Sequence, residues 1–343
     1  MRNRDYSYDY MRAFSAIMIV FCHVFQGFGI CNEIGYYLGG TYVDVFLLLS
    51  AYLLGLNSKD MIIKTPSLFF RKRVERLIPT YYTFLTLTFI IIILSLGWDS
   101  LTLRQIAGHY LFLNWFIDST RIYHCPLPQL GHLWFMSCIM FAYLFVVLWA
   151  QLGNKITFIK SNKCWIIFSV FTSVIASVLI YKIRFFVYPF TVILAFNILF
   201  FKGDIIMDWL RSLKTSLLVA LLAFGNIIGI GYYLGGGYGY PVWIFWINLL
   251  NACLWIACTP IIFKRKAANR VILFLSSISF EIYLLHHPLC LGKYSLMYYM
   301  PVWCAAICVF IIAIIGGWFL SMITKIVSNY FNVLVNKSIN RKY

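Results

Sequence analysis

The run VWCAAICVFIIAIIGGWFLSMI, residues 302–323, decides the fold class. It holds no charged residue, and a helix crosses the hydrocarbon core of a membrane in about 20 apolar residues. A second run of the same kind, PTYYTFLTLTFIIIILSLG, occupies 79–97. Working outward from these two, the same criterion predicts ten transmembrane helices. They fall at roughly 11–30, 41–57, 79–97, 132–151, 164–181, 186–201, 215–233, 242–263, 271–289 and 302–323. The runs at 41–57 and 186–201 are short, which tilt or local bilayer thinning accommodates. Composition agrees: 62% of the 343 residues are hydrophobic and only 11% are charged, with a mean hydropathy of +0.83. Soluble domains run near half apolar and a quarter charged, so a soluble fold, disorder, collagen and coiled coil are excluded. The runs are too long and continuous for barrel strands. The expected fold is an all-α integral membrane protein.

The few charges are lopsided, 28 Lys+Arg against 11 Asp+Glu, for a formal +17. With the N-terminus placed inside, 22 of the 28 fall in cytoplasmic segments, five in outer loops, and one, Arg12, inside the first span. Cytoplasmic loops collect Lys and Arg, so both termini are expected in the cytoplasm. The imbalance is a topology signal that also suits anionic lipid headgroups, not a nucleic-acid signal. The first apolar stretch has no small-residue cleavage site and reads as a span. One transmembrane domain over 1–343 is expected, with no fused soluble domain, no repeat of fixed period and no matched pair of broken helices. The outer stretch LRQIAGHYLFLNWF is suited to lie along the interface. The ten cysteines form no CxxC pair, so no metal site is expected; Cys31 and Cys125, both in outer loops, are the one pair placed for a disulfide. LGGGYGY, 234–240, lacks the strand–helix context and Lys of a phosphate cradle and reads as a turn.

An ionisable group inside a span costs roughly 2.5–3.5 kcal/mol on insertion scales, so each is a functional candidate. Here they are Arg12 and His23 in the first span, Asp44 in the second, His132 at the entrance of the fourth, and Glu281, His286 and His287 in the ninth. Arg12 and His23 are eleven residues apart, which is within about 20° of three full turns, so they share one helix face. They are about 16 Å apart along the axis. Either residue alone reads more simply as structural, Arg12 snorkelling to lipid phosphate and His23 bonding a backbone carbonyl. Together they mark a buried polar track. Glu281 must be paired or protonated. It orients a histidine, pairs with Arg12, or holds helices together.

Five stretches then carry a resemblance. YDYMRAFSAIMIVFCHVF (8–25) holds an Arg-x10-His pair. VDVFLLLSAYLLG (43–55) is similar to a Val-Asp-x-Phe-Phe-x-x-Ser-Gly-Phe block, with Ala51 where Gly is usual. FFRKRVERLIPTYY (69–82) is an Arg-rich stretch followed by Pro and Tyr. LGHLWFMSCIMFAYLF (130–145) and SISFEIYLLHHPL (277–289) complete the series. In this order they resemble the membrane-bound acyltransferase family 3 proteins, integral-membrane O-acyltransferases of cell-surface glycans. Residues 150–270 carry no matching motif.

The resemblance implies an acyl-CoA donor, usually acetyl-CoA, a glycan hydroxyl as acceptor, no permanently bound cofactor, no metal, and a multi-pass place in a bacterial inner membrane. It implies catalytic roles for His23, Arg12 and Glu281. Donor phosphates would meet Arg12, Arg71, Arg73 and Arg76, whose guanidinium groups suit phosphate oxygens. Asp44, Ser50, His132, Tyr283 and His286 would position substrate, and Glu281 or Asp44 would fix the tautomer of His23. His23 would act as general base or carry the acyl group as a relay. The cluster at 71–76 has a competing reading as a topogenic anchor. A transporter or flippase of lipid-linked glycans, with Arg12, Asp44 and Glu281 lining a path, is the rival from another class.

Overall fold

The computed structural model describes residues 5–114, 128–156, 161, 164, 167, 187–237, 242–264 and 269–340. Its helices, in chain order, are α1 (Ser7–Phe28), α2 (Asn32–Lys64), α3 (Pro66–Leu96), α4 (Leu103–Tyr110), α5 (Trp134–Lys155), α6 (Val187–Ser212), α7 (Thr215–Leu234), α8 (Val242–Ile262), α9 (Arg270–Ser277), α10 (Ser279–Cys290) and α11 (Val302–Asn340). No strand occurs among the described residues.

Six helical stretches are long and apolar enough to cross a membrane: Ser7–Phe28, Asn32–Lys64, Pro66–Leu96, Gln129–Gly153, Thr215–Leu234 and Val302–Asn329. The α9–α10 pair makes a seventh if it is one span. The described residues are therefore those of an all-helical membrane protein and hold six or seven such helices, where the sequence predicts ten over the whole chain. Helices α6 and α8 cover the expected spans 186–201 and 242–263, and the span expected at 164–181 lies outside the described residues.

Two boundaries differ from expectation for physical reasons. The short run at 41–57 is the middle of a 33-residue helix. Its first turns, NEIGYYLGG, are glycine-rich, which lowers apparent hydropathy but lets α1 approach closely. A Cβ on Gly39 would lie 2.7 Å from Cys22 Sγ, the small-residue contact typical of packed membrane helices. The run at 271–289 is not straight but bends by 67° between α9 and α10. At the break Ser277 Oγ donates to Phe274 O (2.7 Å) and Ser279 Oγ to Ser276 O (2.9 Å), so serine hydroxyls take up carbonyls in the last turn of the first arm.

Helix α11 shows how the lipid-facing side is built. Ala305, Val309 and Ala313 face inward, while Trp303, Ile307, Ile311, Ile315 and Phe319 form an exposed ridge at four-residue spacing. Large apolar groups outside and small ones inside invert the soluble pattern and suit lipid contact. Helix α1 is central: it packs on α2, α8, α9 and α10 and ends at Gly29, whose φ of 67° is the left-handed conformation that glycine adopts without strain.

Gly27 fixes how α1 meets α10. A Cβ there would lie 2.3 Å from Cys290 O. Gly27 is one turn beyond His23, and Cys290 one turn beyond His286, so this backbone approach sets the distance between the two histidines. Gly27→Ala is expected to destabilise the protein by about 1–3 kcal/mol through overpacking. Thermal unfolding in detergent, beside wild type, checks it.

Candidate active site

Four histidines from three segments converge: His23 on α1, His132 in the turn before α5, and His286 and His287 on α10. The His23 and His287 ring centroids are 4.5 Å apart, edge to face. His287 and His132 stack at 4.4 Å with 20° between planes. His132, His286 and His287 are buried, while His23 keeps part of its surface open.

The hydrogen bonds assign the tautomers of the neutral rings, because a carbonyl can only accept. His286 Nδ1 donates to Ile282 O at 3.1 Å, which leaves Nε2 as a lone pair. His23 Nδ1 lies 2.8 Å from that Nε2 and 3.1 Å from Ile19 O, so it carries the hydrogen and donates. The remaining His23 nitrogen, Nε2, therefore holds an unprotonated lone pair. His287 Nδ1 donates to Gln129 O (3.0 Å), and His132 Nε2 donates to Leu284 O (3.1 Å). Of these bases His23 is the one with open surface.

The chain Ile282 C=O, His286, His23 has the logic of a catalytic triad, with an imidazole where a carboxylate would stand. The partner found at His23 Nδ1 is His286, in place of the expected Glu281 or Asp44. Glu281 is buried in the first turn of α10, five residues and about 140° around the helix from His286, and the cations whose fields reach it are Arg76 and Lys325. Asp44 is fully buried in α2, with Cys138 and Cys253 in its field. Tyr283 donates its hydroxyl to His132 O, so it locks the turn that presents His132.

At the other end of the α1 face lies a cavity of about 750 Å³, lined by Arg12, Ser50, Arg73, Arg76 and Arg211 among others. Arg12 Nη1 reaches Ser276 Oγ at 3.4 Å and Asp9 Oδ1 at 3.5 Å, and Ser276 Oγ donates to Asp9 Oδ1 at 3.0 Å. Arg12 thus pairs with Asp9, not with Glu281. Arg73 lies over the Phe69 ring, 5.8 Å from its centroid, and its Nε is buried with no hydrogen-bond partner among the described residues. Ser50, on α2, lines the same cavity. Arg71 stands apart: its side chain is 68% exposed, donates to Glu75 at 2.6 Å and does not line the cavity.

His287, a candidate in the sequence without a specific role, joins His23 to His132. Arg211 reads from sequence only as a topology marker. Among the described residues no group of His, Cys, Asp and Glu is arranged to hold a metal ion. Cys125 and the turn residues 238–240 lie outside the described residues, and Cys31 is exposed.

Comparison with curated proteins and with solved structures returned no match. The family model for acyltransferase 3, described as an acyltransferase domain, matches residues 5–322, a stretch that contains the four histidines and the arginine cavity. The chain belongs to acyltransferase family 3 and is a membrane acyltransferase.

Proposed function

We propose that this protein moves an acyl group, most simply acetyl, from cytoplasmic acyl-CoA to a hydroxyl of a cell-surface glycan or its lipid-linked precursor. It does so within a bacterial inner membrane, both termini facing the cytoplasm. The observation that carries the reading is the two-ended face of α1, with a cavity rich in arginine at Arg12 and a base with a free lone pair at His23. The two ends are separated by about 16 Å along the helix.

The donor's phosphates occupy the cavity, and its thioester arm runs along α1. His23 Nε2 accepts the proton of the acceptor hydroxyl as its oxygen attacks the thioester carbonyl. The C–S bond breaks, and the CoA thiolate takes that proton back from His23. His286 keeps Nδ1 of His23 protonated and steadies the imidazolium that forms in between. His132 and its neighbour His287 wall the reacting centre, and Tyr283 holds the turn that presents His132. The protein binds acyl-CoA, a glycan and membrane lipid; no metal and no nucleic acid enter the reaction.

Charge-assisted bonds to phosphate are worth about 1.5–3 kcal/mol each. Arg73→Gln and Arg76→Gln are therefore expected to raise the donor KM roughly 10-fold or more with kcat much less affected. Arg71→Gln has the smallest effect of the three. Steady-state kinetics at varied acetyl-CoA checks this, and equal effects on KM from all three would remove the cavity from donor binding.

A further inference from the structure

Helix α8 contains Pro260, which has no backbone N–H. The Ile256 carbonyl, four residues earlier, is left without its helical donor. Arg211, at the end of α6, supplies one: Nη2 to Ile256 O at 3.3 Å and Nε to Ala257 O at 3.3 Å. The same guanidinium donates from Nη2 to Tyr8 OH at 2.7 Å and from Nη1 to Tyr52 OH at 3.2 Å, with its carbon 5.7 Å from the Tyr52 ring centroid. Four contacts from three helices pin the group, and every one is to a neutral partner. No carboxylate pairs with Arg211 among the described residues. Four of its five N–H donors are committed, and one on Nη1 is not.

A rigid cation without a countercharge on a cavity wall is costly unless an anion fills the space. The cavity lining counts four arginines, Arg12, Arg73, Arg76 and Arg211, against two aspartates, Asp5 and Asp9. It suits an anion of at least two charges. Position narrows the choice. Tyr8 precedes Arg12 by one turn, so Arg211 holds α1 about 6 Å further from His23 than Arg12 does. A donor with its thioester at His23 has the adenosine end at that level.

We propose that Arg211 is a specificity residue that binds a phosphomonoester dianion, the 3′-phosphate on the donor's ribose. The inference rests on the acyl-CoA reading given above and adds the recognition of one particular phosphate. A brace for the carbonyl freed by Pro260 alone would not need the cavity's unbalanced charge.

The test compares acetyl-CoA with acetyl-3′-dephospho-CoA on reconstituted wild type and Arg211→Gln. Wild type should favour acetyl-CoA by roughly 10- to 100-fold in KM, the worth of one charged bond to phosphate. Arg211→Gln should lose that preference while kcat at saturating donor changes far less. Wild type that uses both donors equally well overturns the proposal and leaves the acyl-CoA reading standing. A variant that weakens both donors alike makes Arg211 a structural brace and also overturns it. If wild type neither binds nor turns over either donor, the acyl-CoA reading itself fails and the proposal with it. A direct binding measurement on wild type needs no variant: adenosine 3′,5′-bisphosphate should bind roughly 10-fold or more tightly than adenosine 5′-phosphate, and equal binding contradicts the assignment.

Discussion

His23→Ala lowers kcat for acyl transfer by about 10²- to 10⁴-fold, the usual worth of a positioned general base. Donor binding is expected to stay close to wild type, because the site proposed for the donor phosphates is the arginine cavity, about 16 Å along α1 from the missing ring. The split is the useful part. A structural histidine would lose kcat and donor affinity together as α1 shifts, or lose the folded protein. His23→Gln sharpens the point, since it keeps a polar side chain of similar reach but offers no lone pair of comparable basicity. Both variants should bind CoA normally by calorimetry and transfer almost no label from acetyl-CoA. If either retains wild-type kcat, the base is elsewhere.

His286→Phe is expected to have the next largest effect. The ring keeps the space filled, but the acceptor for His23 Nδ1–H, now 2.8 Å away, is gone. His23 then has Ile19 O as its remaining acceptor at 3.1 Å, and nothing opposite stabilises the imidazolium. In a triad the comparable change costs orders of magnitude in kcat, through the wrong tautomer and the lost charge partner. A fall of about 10²-fold or more in kcat, with donor KM within a few-fold, is predicted. His286→Glu should recover part of it, because a carboxylate can accept the same hydrogen. Steady-state kinetics of the two variants separates an orienting role from simple packing: if Glu is no better than Phe, His286 fills space.

The part of this site that was legible in sequence is the part that one helix carries. Arg12 and His23 share a face because helical period fixes their angle, whatever else packs nearby. What α1 meets depends on tertiary approach. His286 reaches His23 because Gly27 lets the α10 backbone at Cys290 come close, and because the α9–α10 span is broken at Ser277–Ser279, which turns α10 toward α1. A straight span over 271–289 would give neither fact. That is why a carboxylate, Glu281, looked a better orienting partner than a second imidazole five residues later. Arg71, Arg73 and Arg76 could not be told apart by sequence, since all three lie in one basic run. Residues 73 and 76, one turn apart, share a helix face, and Arg71 faces out to Glu75. Arg211 was hidden for a different reason. It lies in the motif-free middle of the chain, and its place depends on a carbonyl freed by Pro260 on another helix.

The span count shows the same limit. Hydropathy finds long apolar runs such as 302–323 without difficulty. It undervalues NEIGYYLGG, where glycines serve close packing, and so shortens α2 by several turns. The fold class depends on the long runs and was readable from them, whereas the helix ends and bends that assemble the site depend on packing.

If acyl groups leave acyl-CoA through chemistry at His23, the most direct test reconstitutes purified wild-type and His23→Ala protein in vesicles with lipid-linked glycan and acetyl-labelled acetyl-CoA, and follows label on the glycan together with release of the CoA thiol. Wild type should give stoichiometric label and thiol, and a folded His23→Ala protein that still binds CoA should lose both by at least about 100-fold. Equal transfer by the two proteins, or glycan that crosses the bilayer with no release of thiol, would contradict chemistry at His23.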